Sequence, residues 1–466
     1  MFVPGIMGSR LRNKATGSIS WDPSPGWLFK NTSGQDGATR KALLVGSRFN
    51  PDYLEVATEG GADPEDTSVG DGFSGIMKDY ITQFLTPLKS HDWGALRQTF
   101  DLPVYAAGYN WTDDARNAGE MVAKRIQAII KEAKGKYGMC KKVIVISHSM
   151  GGLVSRSASE LAGGQGMILG IIHGVQPASG APAAYWRMKG GFEYPSFTSP
   201  LKAVAGWVAS RFLGSDATQV TPVLGNIPGG LELLPNKSHR TNAGASAWLS
   251  VTNGGQSIES LPQSDPYEEI YRHKAVVNPP KGGQPSTNEY WGLVDPNLLD
   301  PGTNPAGAGN AYDQMDAQSS SDAWSDYLNV LGMAESFHDD IGKKTHPHTF
   351  CVHGTGYTTA DVVELQVESN WVRSDNYPSH GFRGFYNDAG GKSMQAVLQQ
   401  PSGGGDGTVP VSSASWLDSD GKPDPGDQAV SCEHQPAYAN ADVQNFAFEA
   451  IETLCKQRLK ERRGGN

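Results

Sequence analysis

The chain has 466 residues, 38% of them apolar, with 39 Lys or Arg against 49 Asp or Glu and a net charge of −10. A chain of that length buries a sizeable core. Its acidic balance, with no basic run before the tail Lys456–Arg463, excludes the basic stripe of a nucleic-acid binder and offers no unaided attraction to anionic membrane surfaces. No apolar stretch approaches the roughly 20 residues that span a bilayer.

In chain order, Phe2–Val3 reads as a short strand that breaks at Pro4 into a Gly-bounded loop, Gly5-Ile6-Met7-Gly8-Ser9-Arg10-Leu11. Residues 34–71 are polar and read as an irregular surface excursion. Val104–Ala107 reads as a strand. Thr112, Asp113 and Asp114 then open a helix with a capping hydroxyl and two acids. Ala118, Val122, Ile126, Ile129 and Ile130 recur along it at three- and four-residue steps, and Gly135 is the expected stop. A β-branched strand Val143–Ile146, a helix Leu153–Leu161 and a strand Ile168–His173 follow. Strands alternating with helices predict a parallel sheet with crossover helices.

From about Gly180 to Thr345 the chain is rich in Gly, Pro, Ser and Asn and has few clean strands. An insertion this long inside a compact domain is usually functional, and it reads as a cap. Its best-marked helix is Pro200–Leu213, with Leu201, Val204, Ala205, Val208 and Phe212 on one stripe and Trp207 beside it. That face is either packed permanently on the core, the preferred reading, or a mobile lid that meets lipid, with Trp207, Val208 and Phe212 as its contacts. The core resumes at Thr349–Val352 and closes with a helix whose Val443, Phe446, Phe448, Ile451 and Leu454 face inward. The expected organisation is an α/β core of residues 1–180 and 346–466 around a cap of 181–345.

Chemistry concentrates at Ser147-His148-Ser149-Met150-Gly151-Gly152, where the strand runs straight into a helix. That is the sequence form of a nucleophile elbow, with Ser149 on a sharp turn at the top of a sheet. The usual pattern is G-x-S-x-G, and Ser147 replaces its first glycine. Small residues are needed there because the incoming strand and outgoing helix nearly touch. The opening loop is suited to supplying one oxyanion N–H, from Met7, and the residue after the nucleophile, Met150, supplies the other. Asp406, among Gly403-Gly404-Gly405 and Gly407-Thr408-Val409-Pro410, is placed to orient a histidine. His434 follows a short apolar strand ending at Ser431-Cys432. The order Ser149, Asp406, His434 is that of an α/β-hydrolase triad.

Together these segments resemble the lecithin–cholesterol acyltransferase-like branch of the α/β-hydrolases, neighbouring the PGAP1-like lipases. The opening loop from Pro4 to Leu11, Tyr109-Asn110-Trp111, the Ser149 elbow, Leu233-Leu234-Pro235, Asp406-Gly407-Thr408-Val409-Pro410 and His434 keep that family's order over nearly the whole chain. The resemblance implies an α/β-hydrolase fold with a large cap, and ester hydrolysis or acyl transfer on lipid-like substrates. It carries over Ser149, Asp406 and His434 as the triad, Met7 and Met150 as oxyanion donors, and Trp111 beside the substrate. Two departures stand out: Ser147, and a strand before Pro4 that leaves few residues to anchor the oxyanion loop.

The alternatives are a lipid O-acyltransferase, a secreted antibacterial phospholipase held off by an immunity protein, and a binding module that keeps the fold without catalysis. The expected partners are a lipid or other ester, a transient lipid interface, no nucleic acid, and an immunity protein only under the effector reading. No cofactor and no metal are expected. Residues 418–427 space oxygens like part of a calcium loop but lack the EF-hand pattern. His338, Asp339 and Asp340 read as a polar helix end. Cys140 and Cys351 read as core thiols, and Cys432 with Cys455 as the pair that would be bridged after export. Met1–Arg10 lacks the charged start and long apolar segment of a signal peptide, as it would after signal removal. The chain reads as a soluble protein, cytoplasmic or exported by a signal-independent route.

Overall fold

The computed structural model describes residues 1–24, 27, 31, 35–57, 76–192, 214, 216–275, 290–301, 322–368, 383–387, 393–417 and 426–464. In chain order the strands are β1 (Phe2–Val3), β2 (Leu11–Asn13), β3 (Ile19–Trp21), β4 (Leu54–Val56), β5 (Val143–His148), β6 (Ile168–Gly174) and β7 (Leu249–Asn253). They continue as β8 (Gln256–Leu261), β9 (Thr349–Thr355), β10 (Tyr357–Glu368), β11 (Arg383–Asn387), β12 (Ser393–Leu398), β13 (Ser402–Gly405) and β14 (Asp427–Ser431).

The central sheet has the order β1-β5-β6-β9-β14 and is parallel throughout. The inner strands β5 and β6 are mostly apolar and buried because helices cover both faces, whereas the edge strand β14 is polar and largely exposed. Alternation along the strands sorts the side chains. Phe2, Ile146, Ile172 and Phe350 pair in register across four strands and all lie in one buried cluster. That cluster is completed by Val443, Phe446, Ile451 and Leu454 of the closing helix Ala441–Gly464, as the spacing predicts; Phe448 is half-buried at its edge and stacks on His91. Val3, Val145 and Ile171 face the other way, into a cluster shared with Val122, Ile126 and Ile129 of the helix Ala115–Tyr137 and with Leu153 and Val154 of the helix Gly151–Glu160. The expected α/β-hydrolase architecture, a mostly parallel sheet between layers of helices, is what the chain adopts.

Several expectations need correction. Asp114 caps the Ala115–Tyr137 helix, accepting the N–H of Arg116, but Gly135 lies inside it. The stop is Gly138, at φ 80°, where the left-handed conformation that ends a helix suits glycine. Of residues 34–71, the described part 35–57 is not a simple surface excursion, and 34 and 58–71 lie outside the described residues. Asp36 accepts the N–H of Thr39 and starts a helix Gly37–Leu44, Leu44 and Val45 are core, and β4 pairs with β2. Its apolar side chains are too few to show a period, yet Leu44, Val45, Leu54 and Ala57 are buried. Only Ala106 of Val104–Ala107 makes a strand pairing, with Phe2.

The stretch read as a cap supplies a hairpin, β7–β8, and β7 runs parallel to β10. With β12 and β11 this makes a second sheet of order β11-β12-β10-β7-β8, with β13 paired to β10. The chain therefore does not return to the core cleanly at residue 346: β10 to β13 join the insertion's sheet before Asp406 is reached. Residues 200–213, with Trp207, Val208 and Phe212, and residues 418–425 of the acidic loop lie outside the described residues. None of Cys140, Cys351, Cys432 and Cys455 is in a disulfide, and Cys140 is only partly covered. His338 is buried, bonded to the hydroxyl of Tyr267 and the carbonyl of Glu232. No helix among the described residues is long and apolar enough to cross a membrane.

The helices Ala115–Tyr137 and Gly151–Glu160 cross at Gly119. A Cβ there would lie 2.8 Å from the Cβ of Ser157 and 2.9 Å from the N of Ala158. In an open helix Gly→Ala stabilises by about 1 kcal/mol. Here the overlap outweighs propensity, so Gly119→Ala is expected to destabilise by about 1–3 kcal/mol in denaturant titration.

Candidate active site

Ser149 stands where β5 breaks into the Gly151–Glu160 helix. It adopts φ 52°, a left-handed conformation that a side chain rarely takes and that surrounding contacts must enforce. Its N–H donates to the carbonyl of Gly174 (2.9 Å), and its own carbonyl accepts from Gly152 (2.9 Å). The close packing that demands small residues lies mainly after the serine. A Cβ on Gly151 would collide with the carbonyl oxygens of Val3 and Pro4, and one on Gly152 would sit 2.6 Å from the side chain of Gln176. Before the serine, Ser147 fits with nothing exposed, and the register that sets it opposite His173 gives it a hydrogen bond, Oγ to Nδ1, of 2.9 Å.

The three residues expected to act together are in hydrogen-bonding line. His434 Nε2 is 2.8 Å from Ser149 Oγ, and His434 Nδ1 is 2.7 Å from Asp406 Oδ2. The carboxylate oxygen accepts only from a protonated Nδ1, so a neutral His434 leaves Nε2 bare toward the serine hydroxyl. Asp406 is 1% exposed. Its other oxygen accepts the N–H groups of Thr408 (2.9 Å) and Val409 (2.7 Å), and its carbonyl takes the N–H of His434 (2.8 Å). Those bonds satisfy oxygens that burial removes from water. Gly354, at the end of β9, has no room for a Cβ against the Cβ of Asp406. Ser149 follows the end of β5 and His434 the end of β14, the carboxyl ends where α/β sheets place their sites. A cavity of about 450 Å³ lies at the opposite end of the sheet, lined by Trp93, Tyr105, Val143 and Leu169, and none of the three residues borders it.

The opening loop is held by tertiary bonds rather than by β1. Met7 has φ 62°, and its carbonyl accepts the indole N–H of Trp21 at 2.7 Å. Gly8 closes a turn to Gly5 (3.0 Å) and takes the N–H of Met77 (2.8 Å). Gly5 lies so near the elbow that a Cβ would be 3.1 Å from that of Ser149. Among the described residues the N–H groups of Met7 and Met150 donate to no other protein group, which leaves both free for a developing oxyanion. Trp111 is fully buried, edge-on to Trp21 at 5.9 Å, in the core beneath this loop; it packs the site's floor rather than presenting a surface.

The side chains that support these groups were not legible in the sequence. Trp21, Tyr80, whose hydroxyl reaches His148 and Gly5, and Thr359, which accepts the N–H of Gly407, come from distant parts of the chain, and no local pattern marks them.

This is the architecture of an α/β-hydrolase with a Ser–His–Asp arrangement at the carboxyl ends of its strands. Residues 114–189, from the cap of the long helix through the Ser149 turn, match the PGAP1-like alpha/beta domain. Among solved structures, the chain is similar to one described as the crystal structure of the Tle4–Tli4 complex, with a TM-score of 0.69 and 22% identity over 98% of each chain. No curated protein matches in sequence.

Restoring the motif's glycine gives a check on this geometry. Ser147→Gly removes a buried hydrogen bond and frees the backbone of the unfolded chain. It is expected to lower stability by about 1–2 kcal/mol in thermal or urea unfolding, although it moves the sequence closer to G-x-S-x-G.

Proposed function

We propose that the protein is a serine esterase or lipase acting on carboxylic esters of lipid-like substrates. The observation that carries this reading is the unbroken line Asp406–His434–Ser149, with bonds of 2.7 and 2.8 Å. His434 takes the Ser149 proton as Oγ attacks the ester carbonyl, Asp406 orients the ring and stabilises the imidazolium, and His434 returns the proton to the departing alcohol. The N–H groups of Met7 and Met150 hold the oxyanion because both are fixed before the charge develops. Water then releases the acid from the acyl-enzyme; an acceptor alcohol in its place makes the same site an O-acyltransferase. Lipid-like substrates are supported by the match to the PGAP1-like domain over residues 114–189. The stretch 181–345 is assigned to a cap over the site.

A second reading has one observation in its favour. The solved structure that is similar over 98% of the chain is of a complex, Tle4 with Tli4. On that footing we also propose a dedicated protein partner, as for a secreted phospholipase restrained by an immunity protein. Co-purification from the native source, followed by identification of the bound chain, tests it; a protein recovered alone at every stage counts against it.

The enzymatic reading is tested with a fluorophosphonate probe and a panel of lipid esters. Wild type is expected to label on Ser149 alone and to hydrolyse at least one ester class. Ser149→Ala and His434→Ala should lose both properties, and Asp406→Asn should lower kcat by about 10⁴-fold through the wrong histidine tautomer. Labelling elsewhere, or equal turnover by Ser149→Ala, would overturn the mechanism.

A further inference from the structure

His148, the residue before Ser149, is 1% exposed and has no role in the proton transfers above. Both of its ring nitrogens are nonetheless engaged. Nε2 lies 2.8 Å from the backbone carbonyl of His434, and Nδ1 lies 2.8 Å from the hydroxyl of Tyr80. A carbonyl oxygen can only accept, so Nε2 must carry the proton. In a neutral ring Nδ1 is then a bare acceptor, and Tyr80 must donate to it. The phenol oxygen is left to accept, and it takes the N–H of Gly5 at 3.4 Å and a hydrogen bond from the side chain of Gln435. Every direction in this chain follows from the one group that cannot donate.

The path has consequences for the site because of what it joins. Gly5 belongs to the loop that carries Met7, His148 is next to Ser149, and His434 is the base. Gly5 approaches so closely that a Cβ on it would sit 2.9 Å from Nδ1 of His148. Tyr80 is 4% exposed and packs on Phe2 (ring centroids 5.0 Å apart) and on His148 (5.2 Å), so neither ring has freedom to leave.

We propose, on the serine-hydrolase reading above, that Tyr80 and His148 are positioning residues: one hydrogen-bonded unit that fixes the oxyanion loop and the His434 backbone relative to Ser149. The unit works with His148 neutral. A charged ring would set a second N–H against the Tyr80 hydroxyl and would oppose the imidazolium forming on His434, whose centroid is 5.3 Å away. Burial, reinforced by His434, lowers the His148 pKa to about 3, so the ring is neutral around pH 7. The backbone of His434 is thus held by a donor that stays neutral.

The experiment compares wild type, Tyr80→Phe, His148→Leu, His148→Gln and the Tyr80→Phe/His148→Leu double variant in the full chain. Three readouts are used: the rate of fluorophosphonate labelling, kcat and KM on a soluble p-nitrophenyl ester, and thermal unfolding. Misplacing reacting groups by about 1 Å costs on the order of 100-fold in rate. Tyr80→Phe and His148→Leu are expected to lower kcat and the labelling rate by about 10- to 100-fold with KM little changed, the sign of an interaction needed in the transition state. His148→Gln places an amide N–H near the His434 carbonyl and should recover most of the rate lost in His148→Leu. The double variant should lose no more than the worse single one, because both break one chain. Rates that fall only with the folded fraction, no difference between Gln and Leu, or additive losses in the double variant would overturn the positioning role. Equal labelling of wild type and all variants also overturns it, with the hydrolase reading intact. If wild type itself fails to label, the hydrolase reading falls and the positioning role falls with it.

Discussion

The close approach of two backbones organises this molecule: the segment Val3–Gly8 lies directly on the turn that carries Ser149. β1 pairs with β5 at only two positions, Phe2 with Ile146 and Val3 with Ser147, so the loop leaves the sheet two residues short of the serine. Gly5 and Gly151 are where the approach is closest, and neither can carry a Cβ without moving a backbone or the His148 ring. Two of the three described non-glycine residues at positive φ, Met7 and Ser149, flank this contact, and the third, Val175, ends β6 beside it. Strain concentrated in one place is tolerated when many contacts over-determine it. The bonds from Trp21 to Met7, from Met77 to Gly8 and from Ser149 to Gly174 are those contacts.

The same approach explains why a two-residue strand suffices. A loop anchored by its own strand would need more ladder bonds than β1 offers. Here the anchoring is distributed: the Ser9 hydroxyl accepts the N–H of Tyr109, and the buried pair Arg10–Asp22, at 2.8 Å, ties the loop's exit to the β2–β3 ribbon. A buried ion pair contributes little net stability, but losing one partner strands the other charge, so it fixes a geometry more than it strengthens it. The opening loop is therefore positioned largely by groups that enter the chain between residues 9 and 109.

What was legible in the sequence follows the range of the forces involved. β5, β6, the helix Ala115–Tyr137 and the closing helix show their period locally, since each buries a regular face. Ser149, Asp406 and His434 were legible because turn chemistry and chain order mark them, and the structure brings them within hydrogen-bonding distance. The hairpin β7–β8 and the strands β10 to β13 were missed. β8, Gln256–Leu261, is mostly exposed and polar on both faces, so it has no alternation to read, and its stability comes from pairing with a strand it cannot announce. The helix Gly37–Leu44 was missed because Leu44 is buried by tertiary contact alone. Supporting residues such as Tyr80 and Thr359 have no local signature at all: their meaning is the identity of a neighbour more than 40 residues away.

Register gives the last step. In a strand, successive side chains point to opposite faces, and a slip of one residue exchanges them. At the end of β5 that alternation assigns three consecutive residues to three surroundings. Ser147 follows Val145 toward the face where His173 stands opposite it. His148 follows Ile146 toward the face of Tyr80 and Tyr438, its ring centroid 5.2 Å and 6.2 Å from theirs. Ser149, at the turn, belongs to neither face and meets His434 above the sheet. The Tyr438 hydroxyl closes the arrangement by donating to the carbonyl of Ser147 at 3.0 Å. Gly174 gives it room, because a Cβ there would lie 2.7 Å from that hydroxyl. A one-residue slip of β5 would put a histidine where Ser147 fits with no exposure and a serine too short to span Tyr80 and His434. The register that buries Phe2, Ile146, Ile172 and Phe350 in one row is thus the same constraint that presents Ser149.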